Sequence, residues 1–158
     1  MSISVMAMGR MKEKPYRQMA DEDLKRLSRY GKYEIVAVDD VREPDHPSEA
    51  LLKQGMEKEG AALMKHIRPN DRVVCLCIRA NAPDSVGLAR LTGGWMNDGR
   101  RTVFVIGGSN GLSDEVLRRA DERLSFSNLT FPHGLMRVIL LEQLYRAERI
   151  RAGEPYHK

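Results

Sequence analysis

Three groups of residues in the last third of the chain have types and spacings that suit chemistry. An apolar segment, Thr102–Ile106, leads into a glycine turn at residues 107–111. Glycines there let the backbone approach a ligand closely, and successive N–H groups can face an acceptor. A hydroxyl-rich loop at residues 125–130 follows, closed by an aromatic residue, a proline and a histidine, and the chain ends in the tail 155–158.

Each group has more than one interpretation. The glycine turn also suits a tight turn without a ligand, and its spacing is neither the dinucleotide fingerprint nor a P-loop. The hydroxyl-rich loop is able to hold a flat heterocycle between two phenylalanines, or to cap the next helix. The tail places an aromatic ring, an imidazole and an ammonium beside an arginine-bearing helix, a mixture that suits phosphate binding and base stacking. Most of the arginines on that helix are expected to be solvated.

Composition indicates one globular domain, residues 1–158. Hydrophobic residues make up 42% and charged residues 30%, which excludes a disordered chain. The longest aliphatic run, 138–141, is far too short to span a bilayer. Cys75 and Cys77 share one strand face, which is a poor geometry for a disulfide. Free thiols suit the reducing cytoplasm, so we expect a cytoplasmic protein. The scattered histidines give no support for a metal site.

The net charge of +4 is unevenly distributed along the chain. Residues 1–32 carry eight Lys and Arg against four Asp and Glu, whereas residues 33–60 carry three against eight. An anionic partner is therefore permitted, and any nucleic-acid face is expected to avoid the acidic segment.

Strand and helix patterns alternate from end to end. Strands are predicted at 3–8, 33–38, 73–78, 102–106 and 124–127, and helices at 15–30, 48–66, 84–97, 113–123 and 134–152. Such alternation predicts an α/β fold with a mostly parallel sheet and helices on both faces. Ligands then bind at the carboxyl ends of strands, here residues 76–81, 107–111 and 127–133.

Four separated motifs carry a resemblance to a known family over essentially the whole chain. IGGSNGL, LSFSNLTFPH, the RV-x-L-x-EQLYRA helix and the terminal PYHK occur in this order. They resemble the ribosomal RNA large subunit methyltransferase H family of the SPOUT superfamily. The resemblance implies a C-terminal deep trefoil knot, S-adenosylmethionine as cofactor and a homodimer. It also implies methylation of N3 of a pseudouridine in helix 69 of 23S rRNA on the assembled ribosome.

The resemblance also assigns residues to tasks. The expected cofactor contacts are Leu76, Gly107, Phe126, Ser127, Asn128, Leu129, Thr130 and Phe131. For catalysis, we hypothesise that His157 or His133 deprotonates or orients the base, because an imidazole exchanges protons near neutral pH. Arg137, Tyr156, His157 and Lys158 are expected to hold RNA. The alternatives are that His133 caps the last helix and that His157 belongs to a frayed tail.

One loop departs from the family pattern. Members typically have an acidic residue after the strand leucine and then a Gly-Lys pair, where this chain has Cys77, Ala80 and Asn81. Arg79 is a candidate replacement for the missing lysine charge. The altered loop keeps a second function open, that of a non-catalytic ribosome-binding or RNA-binding protein of the same fold. A third is a phosphate-binding α/β protein that uses the glycine turn.

Overall fold

Five strands and five helices alternate along the computed structural model, which describes residues 1–158. The strands are β1 (Ser2–Met8), β2 (Lys32–Val38), β3 (Arg72–Asn81), β4 (Thr102–Ile106) and β5 (Glu122–Leu124). The helices are α1 (Lys14–Leu27), α2 (Glu49–Met64), α3 (Ser85–Trp95), α4 (Asp114–Arg119) and α5 (His133–Arg151). A short 3₁₀ turn, Met96–Asp98, follows α3.

All five strands run parallel in the order β2-β1-β4-β3-β5. The predicted α/β class is therefore confirmed, and the sheet is entirely parallel. Because parallel strands end at the same edge, the segments after β3, β4 and β5 meet there. No helix of the structure is long and apolar enough to cross a membrane.

Alternating side chains of the strands pack into two cores, one on each face of the sheet. On one face, Val5 and Phe104 lie in a core with residues of α1, α3 and α5. On the other, Met6 and Val105 pack with residues of α2 and α4. The three central strands, β1, β4 and β3, therefore carry nearly continuous apolar runs, as expected when both faces are covered.

The two cysteines fill the smaller core. Cys75 is buried there, Cys77 packs against the same core, and both thiols are free. Burial raises the pKa of Cys75 to about 12 and also raises that of Cys77. Thiols held in the protonated form are poor nucleophiles, which agrees with a packing role for the pair.

Ser113 caps α4, since its hydroxyl accepts a hydrogen bond from the N–H of Val116. However, α4 ends at Arg119, four residues earlier than predicted. Asp121 ends it, because its N–H donates to the carbonyl of Val73 and its carboxylate accepts from the N–H of Val73, both at 2.8 Å. These bonds start β5 at Glu122, two residues before the predicted strand.

A buried ion pair closes the amino-terminal edge of the sheet. Arg101 Nε donates to Asp71 Oδ1 at 3.0 Å, and the N–H of Arg68 donates to Asp71 Oδ2 at 2.7 Å. Burial opposes ionisation of Asp71, but these hydrogen bonds outweigh it and hold the pKa of the carboxyl below its ordinary value. The charged form of Asp71 therefore stabilises the fold.

We expect Asp71→Asn to lower the free energy of unfolding by about 1–3 kcal/mol at pH 7, since a buried charge-assisted bond is lost. A carboxyl group whose pKa is lower in the native state stabilises the fold at pH values above its unfolded pKa, which is near 3.9. This stabilisation is lost as the pH falls through the native pKa. The difference from wild type should therefore shrink in urea unfolding below about pH 4. Asp45→Asn, in an exposed loop, is the control. A difference that stays constant with pH would contradict this role.

Candidate cofactor cleft and catalytic residues

A cleft of about 470 Å³ lies at the carboxyl edge of the sheet. It is bounded by the last part of β3, by the segments that follow β4 and β5, and by the first turn of α5. Seven of the eight residues expected to contact the cofactor line it, namely Leu76, Gly107, Phe126, Ser127, Leu129, Thr130 and Phe131. Asn128 is exposed and does not line it. The three loops singled out from the sequence therefore form one site of a size typical for ligands.

The glycine turn forms the floor of the cleft on the β4 side. Gly111 has a φ of +88° and donates its N–H to the carbonyl of Gly108 at 3.0 Å. A side chain at Gly107 would place its Cβ 2.8 Å from the carbonyl of Gly111. Both positions therefore require glycine, because one has a left-handed backbone and the other lies against backbone atoms.

Carboxylates lie behind this turn. A Cβ at Gly108 would lie 2.6 Å from Glu59 Oε2, so the absent side chain makes room for that carboxylate. Burial raises the pKa of Glu59, and the neighbouring Asp40 and Glu43 raise it further. No Lys, Arg, Asp or Glu side chain lines the cleft itself. Negative groups behind the turn and the lack of cations within the cleft both disfavour a phosphate there.

Ser125 holds the hydroxyl-rich loop in place. It is 2% exposed, its N–H donates to the carbonyl of Asn81 at 2.8 Å, and its hydroxyl donates to the carbonyl of Ile78 at 2.8 Å. The next hydroxyl, on Ser127, accepts from the N–H of Leu129 at 3.0 Å. The loop is therefore bound to the end of β3, which explains why that strand extends to Asn81, beyond its predicted end.

Apolar side chains form the walls of the cleft. Phe126 and Phe131 are half-buried and line it from one side, and Ile106 lines it from the end of β4. At its mouth, Ile78 is 50% and Leu129 is 70% exposed. Flat walls with hydroxyls and main-chain groups between them suit an aromatic heterocycle whose faces are covered and whose edge is hydrogen-bonded.

The two candidate catalytic histidines occupy different cavities. His133 is the first residue of α5 and lines the cleft. Pro132 occupies the N-cap position and no side chain caps the helix, so the capping alternative for His133 is not realised. His157 lines a neighbouring cavity of about 400 Å³, which shares Phe126 and Phe131 with the cleft. Within one chain, the two rings of phenylalanine therefore separate the histidines.

The C-terminal tail folds back onto α5. The Tyr156 ring packs edge to face against Tyr145, with centroids 5.1 Å apart, and its hydroxyl donates to Glu142 Oε1 at 3.1 Å. Arg146 lies over the Tyr156 ring at 4.8 Å and contacts His157 Nδ1 at 3.4 Å. The tail is therefore attached to α5 and not frayed, while His157 and Lys158 remain exposed.

Arg137 departs from the expectation that most arginines of α5 are solvated. Its side chain is among the largest fully buried ones, at 1% exposure, and its guanidinium donates to the carbonyl of Met8 at 2.5 Å. The reason is tertiary packing, because α5 crosses the end of β1 at this turn. Arg137 therefore cannot meet RNA as an exposed surface residue.

The sequence alone did not assign Ser125, Cys77 or Met136 to this site. Ser125 was noted in the hydroxyl-rich loop but not as the residue that anchors it. Cys77 lines the cleft where family members have an acidic residue, and Met136 closes it from α5. Arg79 is exposed and does not line the cleft. No group of three His, Cys, Asp or Glu side chains is arranged to hold a metal ion.

Comparison with known proteins defines the class. Residues 1–157 match a family described as predicted SPOUT methyltransferase. A probable methylase family protein from Haemophilus influenzae Rd KW20 has a similar fold, with a TM-score of 0.57 over 99% of this chain and 70% of that one. Their sequences are only 15% identical, so this likeness concerns the fold alone.

Curated relatives are much closer in sequence. The chain is 48% identical, over 100% of both chains, to a ribosomal RNA large subunit methyltransferase H from Bifidobacterium animalis subsp. lactis (strain AD011). It is also 48% identical over 100% of both chains to the protein of the same name from Clostridium novyi (strain NT). With a family match over nearly its whole length, this chain belongs to the SPOUT methyltransferase family.

The role of Ser125 as anchor gives a testable expectation. Ser125→Ala removes the hydroxyl that donates to Ile78, and we expect a loss of about 1 kcal/mol in urea unfolding. Because the loop is then held by one bond fewer, hydrogen exchange at the N–H of Leu129 should accelerate several-fold. Ser2→Ala, at the opposite edge of the sheet, is the matched control. Equal exchange rates at Leu129 in both variants would refute the anchoring role.

Proposed function

We propose that this protein methylates RNA of the large ribosomal subunit, with S-adenosylmethionine as methyl donor. The observation that carries the proposal is the cleft at the carboxyl edge of the sheet, which joins seven of the expected cofactor residues to His133. The names of the full-length relatives support ribosomal RNA as the substrate.

The chain offers a fitting site for the methyl donor. Phe126, Phe131 and Leu76 would cover the faces of the adenine, and main-chain groups of the loops would bind its edge. The N–H groups of Gly107, Ser109 and Asn110 donate to no other atom of the chain, which leaves them available to a ligand. When bound, the cofactor would supply an electrophilic methyl group. The carboxylates behind the glycine turn suit a cationic donor better than a nucleotide phosphate.

The family resemblance suggests the target that we propose, which is N3 of a pseudouridine in helix 69 of 23S rRNA in the assembled ribosome. N3 must lose its proton before or during attack, and methyl transfer needs the nucleophile, the methyl carbon and the sulfur nearly in line. His133 is the better placed base, since it lines the cleft. His157 borders the cavity on the other side of Phe126 and Phe131, and Tyr156 and Lys158 are its neighbours in the chain. These three residues would therefore contact RNA.

The assembly implied by the resemblance completes the proposal. We expect a cytoplasmic homodimer, in which the tail of one protomer lies near the cleft of its partner. We also expect a trefoil knot at the C-terminal end.

The deciding experiment is methyl transfer from labelled S-adenosylmethionine to ribosomes that lack the modification. Free 23S RNA and isolated subunits serve as comparisons, and the product nucleoside is identified by mass spectrometry. N3-methylpseudouridine formed on ribosomes is the expected result. Cofactor binding without transfer to any substrate would favour the non-catalytic alternative, for which the unusual Cys77 in the cleft is the supporting observation.

His133→Ala should lower the single-turnover rate about 100-fold or more, the size of a general-base contribution, with cofactor affinity nearly unchanged. His157→Ala should act mainly on the KM for ribosomes, because His157 lies in the neighbouring cavity. The measurement is single-turnover methylation with each variant. If both variants retain the wild-type rate, neither histidine takes part in the proton transfer.

Gly107→Ala tests whether the glycine turn belongs to the donor site. A Cβ at this position meets the backbone of Gly111, which cannot move as a side chain can, so the turn must open. We expect S-adenosylmethionine binding to weaken at least tenfold by calorimetry. Gly55→Ala is the control, since its Cβ would meet open space in α2 and should stabilise the helix by about 0.5–1 kcal/mol. Unchanged affinity in Gly107→Ala would place the donor elsewhere.

A further inference from the structure

A separate cavity of about 600 Å³ lies beside the first turn of α5 and is lined by four cationic side chains, Arg10, Lys12, Arg17 and Arg137. We call it the basic cavity. Asp21 is its one carboxylate, and its remaining walls are apolar. None of these residues lines the cofactor cleft. Four cations against one carboxylate favour an anionic ligand.

Arg137 is the buried part of this site. Its guanidinium gives one hydrogen bond to the carbonyl of Met8, while Nε and Nη1 have no partner in the chain. Burial lowers the pKa of Arg137; Asp40 and Glu13 oppose this effect, but neither accepts a hydrogen bond from its free nitrogens. A buried guanidinium with two unused nitrogens is costly unless an acceptor completes it.

The other cations lie on a loop that the protein holds in position. Arg17 donates from Nη1 to the carbonyls of Met11 and Lys12, at 3.1 and 3.0 Å, which fixes the loop between β1 and α1. Arg10 lies 3.9 Å from Asp39, and its side chain is 82% exposed, so solvent screens that contact. Arg10 and Lys12 are therefore free to bind a ligand above the buried Arg137.

The basic cavity and the cofactor cleft share one helical turn. His133 and Met136 line the cleft, and Arg137, the next residue, lines the basic cavity. The start of α1 and the loop before it approach this turn closely, because a Cβ at Gly134 would lie 2.7 Å from the Tyr16 ring and 3.4 Å from Met11 Cγ. A chain of nucleotides bound at the basic cavity would therefore pass directly beside the cofactor cleft.

We propose that the basic cavity binds a backbone phosphate of the RNA substrate, with Arg137 at its floor and Arg10 and Lys12 at its rim. Guanidinium groups form paired hydrogen bonds with phosphate oxygens, and phosphate contacts fix the register of a nucleic acid without reading its sequence. The inference rests on the proposed function, since it assigns the site that positions the RNA whose base is methylated. Free inorganic phosphate would bind by the same chemistry, and the experiments below distinguish it from RNA as the ligand.

The test compares two double variants that each remove two exposed positive charges. Arg10→Ala with Lys12→Ala changes the rim, while Lys53→Ala with Arg118→Ala removes exposed cations on α2 and α4, on the other face of the sheet. Binding of a 23S rRNA fragment is measured by filter binding from 50 to 300 mM salt. Kinetic constants for methylation of unmodified ribosomes and calorimetric cofactor affinity are measured in parallel.

We expect the rim variant to bind RNA about tenfold more weakly and to lower the slope of log K against log salt by roughly 1, as the loss of one phosphate contact predicts. Its KM for ribosomes should rise, while kcat and cofactor affinity stay at wild-type values. The control should change none of these beyond twofold. Equal RNA affinity and slope in the two double variants would overturn the proposal. If the wild-type protein does not methylate ribosomes but the rim variant still binds RNA more weakly than wild type, only the enzymatic function is rejected.

Two further measurements distinguish free phosphate from RNA as the ligand and test the role of Arg137. Titration with inorganic phosphate, followed by the NMR signal of Arg137 Nε–H, should shift that signal only at millimolar concentrations. A shift at micromolar phosphate, with an RNA slope unchanged in the rim variant, would assign the site to free phosphate. Arg137→Met keeps the side-chain volume without the charge and should also weaken RNA binding. RNA affinity that stays at the wild-type value in this variant would contradict the proposal.

Discussion

Ser125 connects two segments that are distant in sequence, and the carboxyl edge of the sheet depends on that connection. Its N–H binds Asn81 and its hydroxyl binds Ile78, so the chain leaving β5 must run along the end of β3. The loop then passes Phe126 and Phe131 and enters α5 at His133. One short buried side chain thereby positions the apolar wall, the loop hydroxyls and the start of the last helix.

The structure separates charge from the place where the donor would bind. The cleft is lined by apolar, hydroxyl and main-chain groups, and the unpaired guanidinium of Arg137 lies on the other side of the same turn. By contrast, the ion pair of Asp71 and Arg101 at the opposite edge is fully hydrogen-bonded. This buried ion pair is thus satisfied within the chain, whereas the buried guanidinium near the site retains two free nitrogens, as functional sites often do.

The sequence predicted the sheet and the cleft well because both depend on local patterns. Apolar runs ending in glycine or hydroxyl residues mark where parallel strands stop, and β4 matches its predicted range without change. Arg137 could not be placed in this way, because helical spacing alone shows a polar residue beside Val138 and says nothing of β1 beneath it. Likewise, His157 lies 24 positions from His133, and only the fold of the tail against Tyr145 and Glu142 decides which cavity it reaches.

Phe126 and Phe131 each present surface to two cavities, the cleft and the cavity that contains His157. A ligand that orders these rings on one side also shapes the space on the other. Any change in affinity that a ligand in one cavity causes in the other would be reciprocal, by the same factor. The two shared rings are therefore the physical route by which ligands in the two cavities would influence each other's binding, although those ligands would meet only at the reacting atoms.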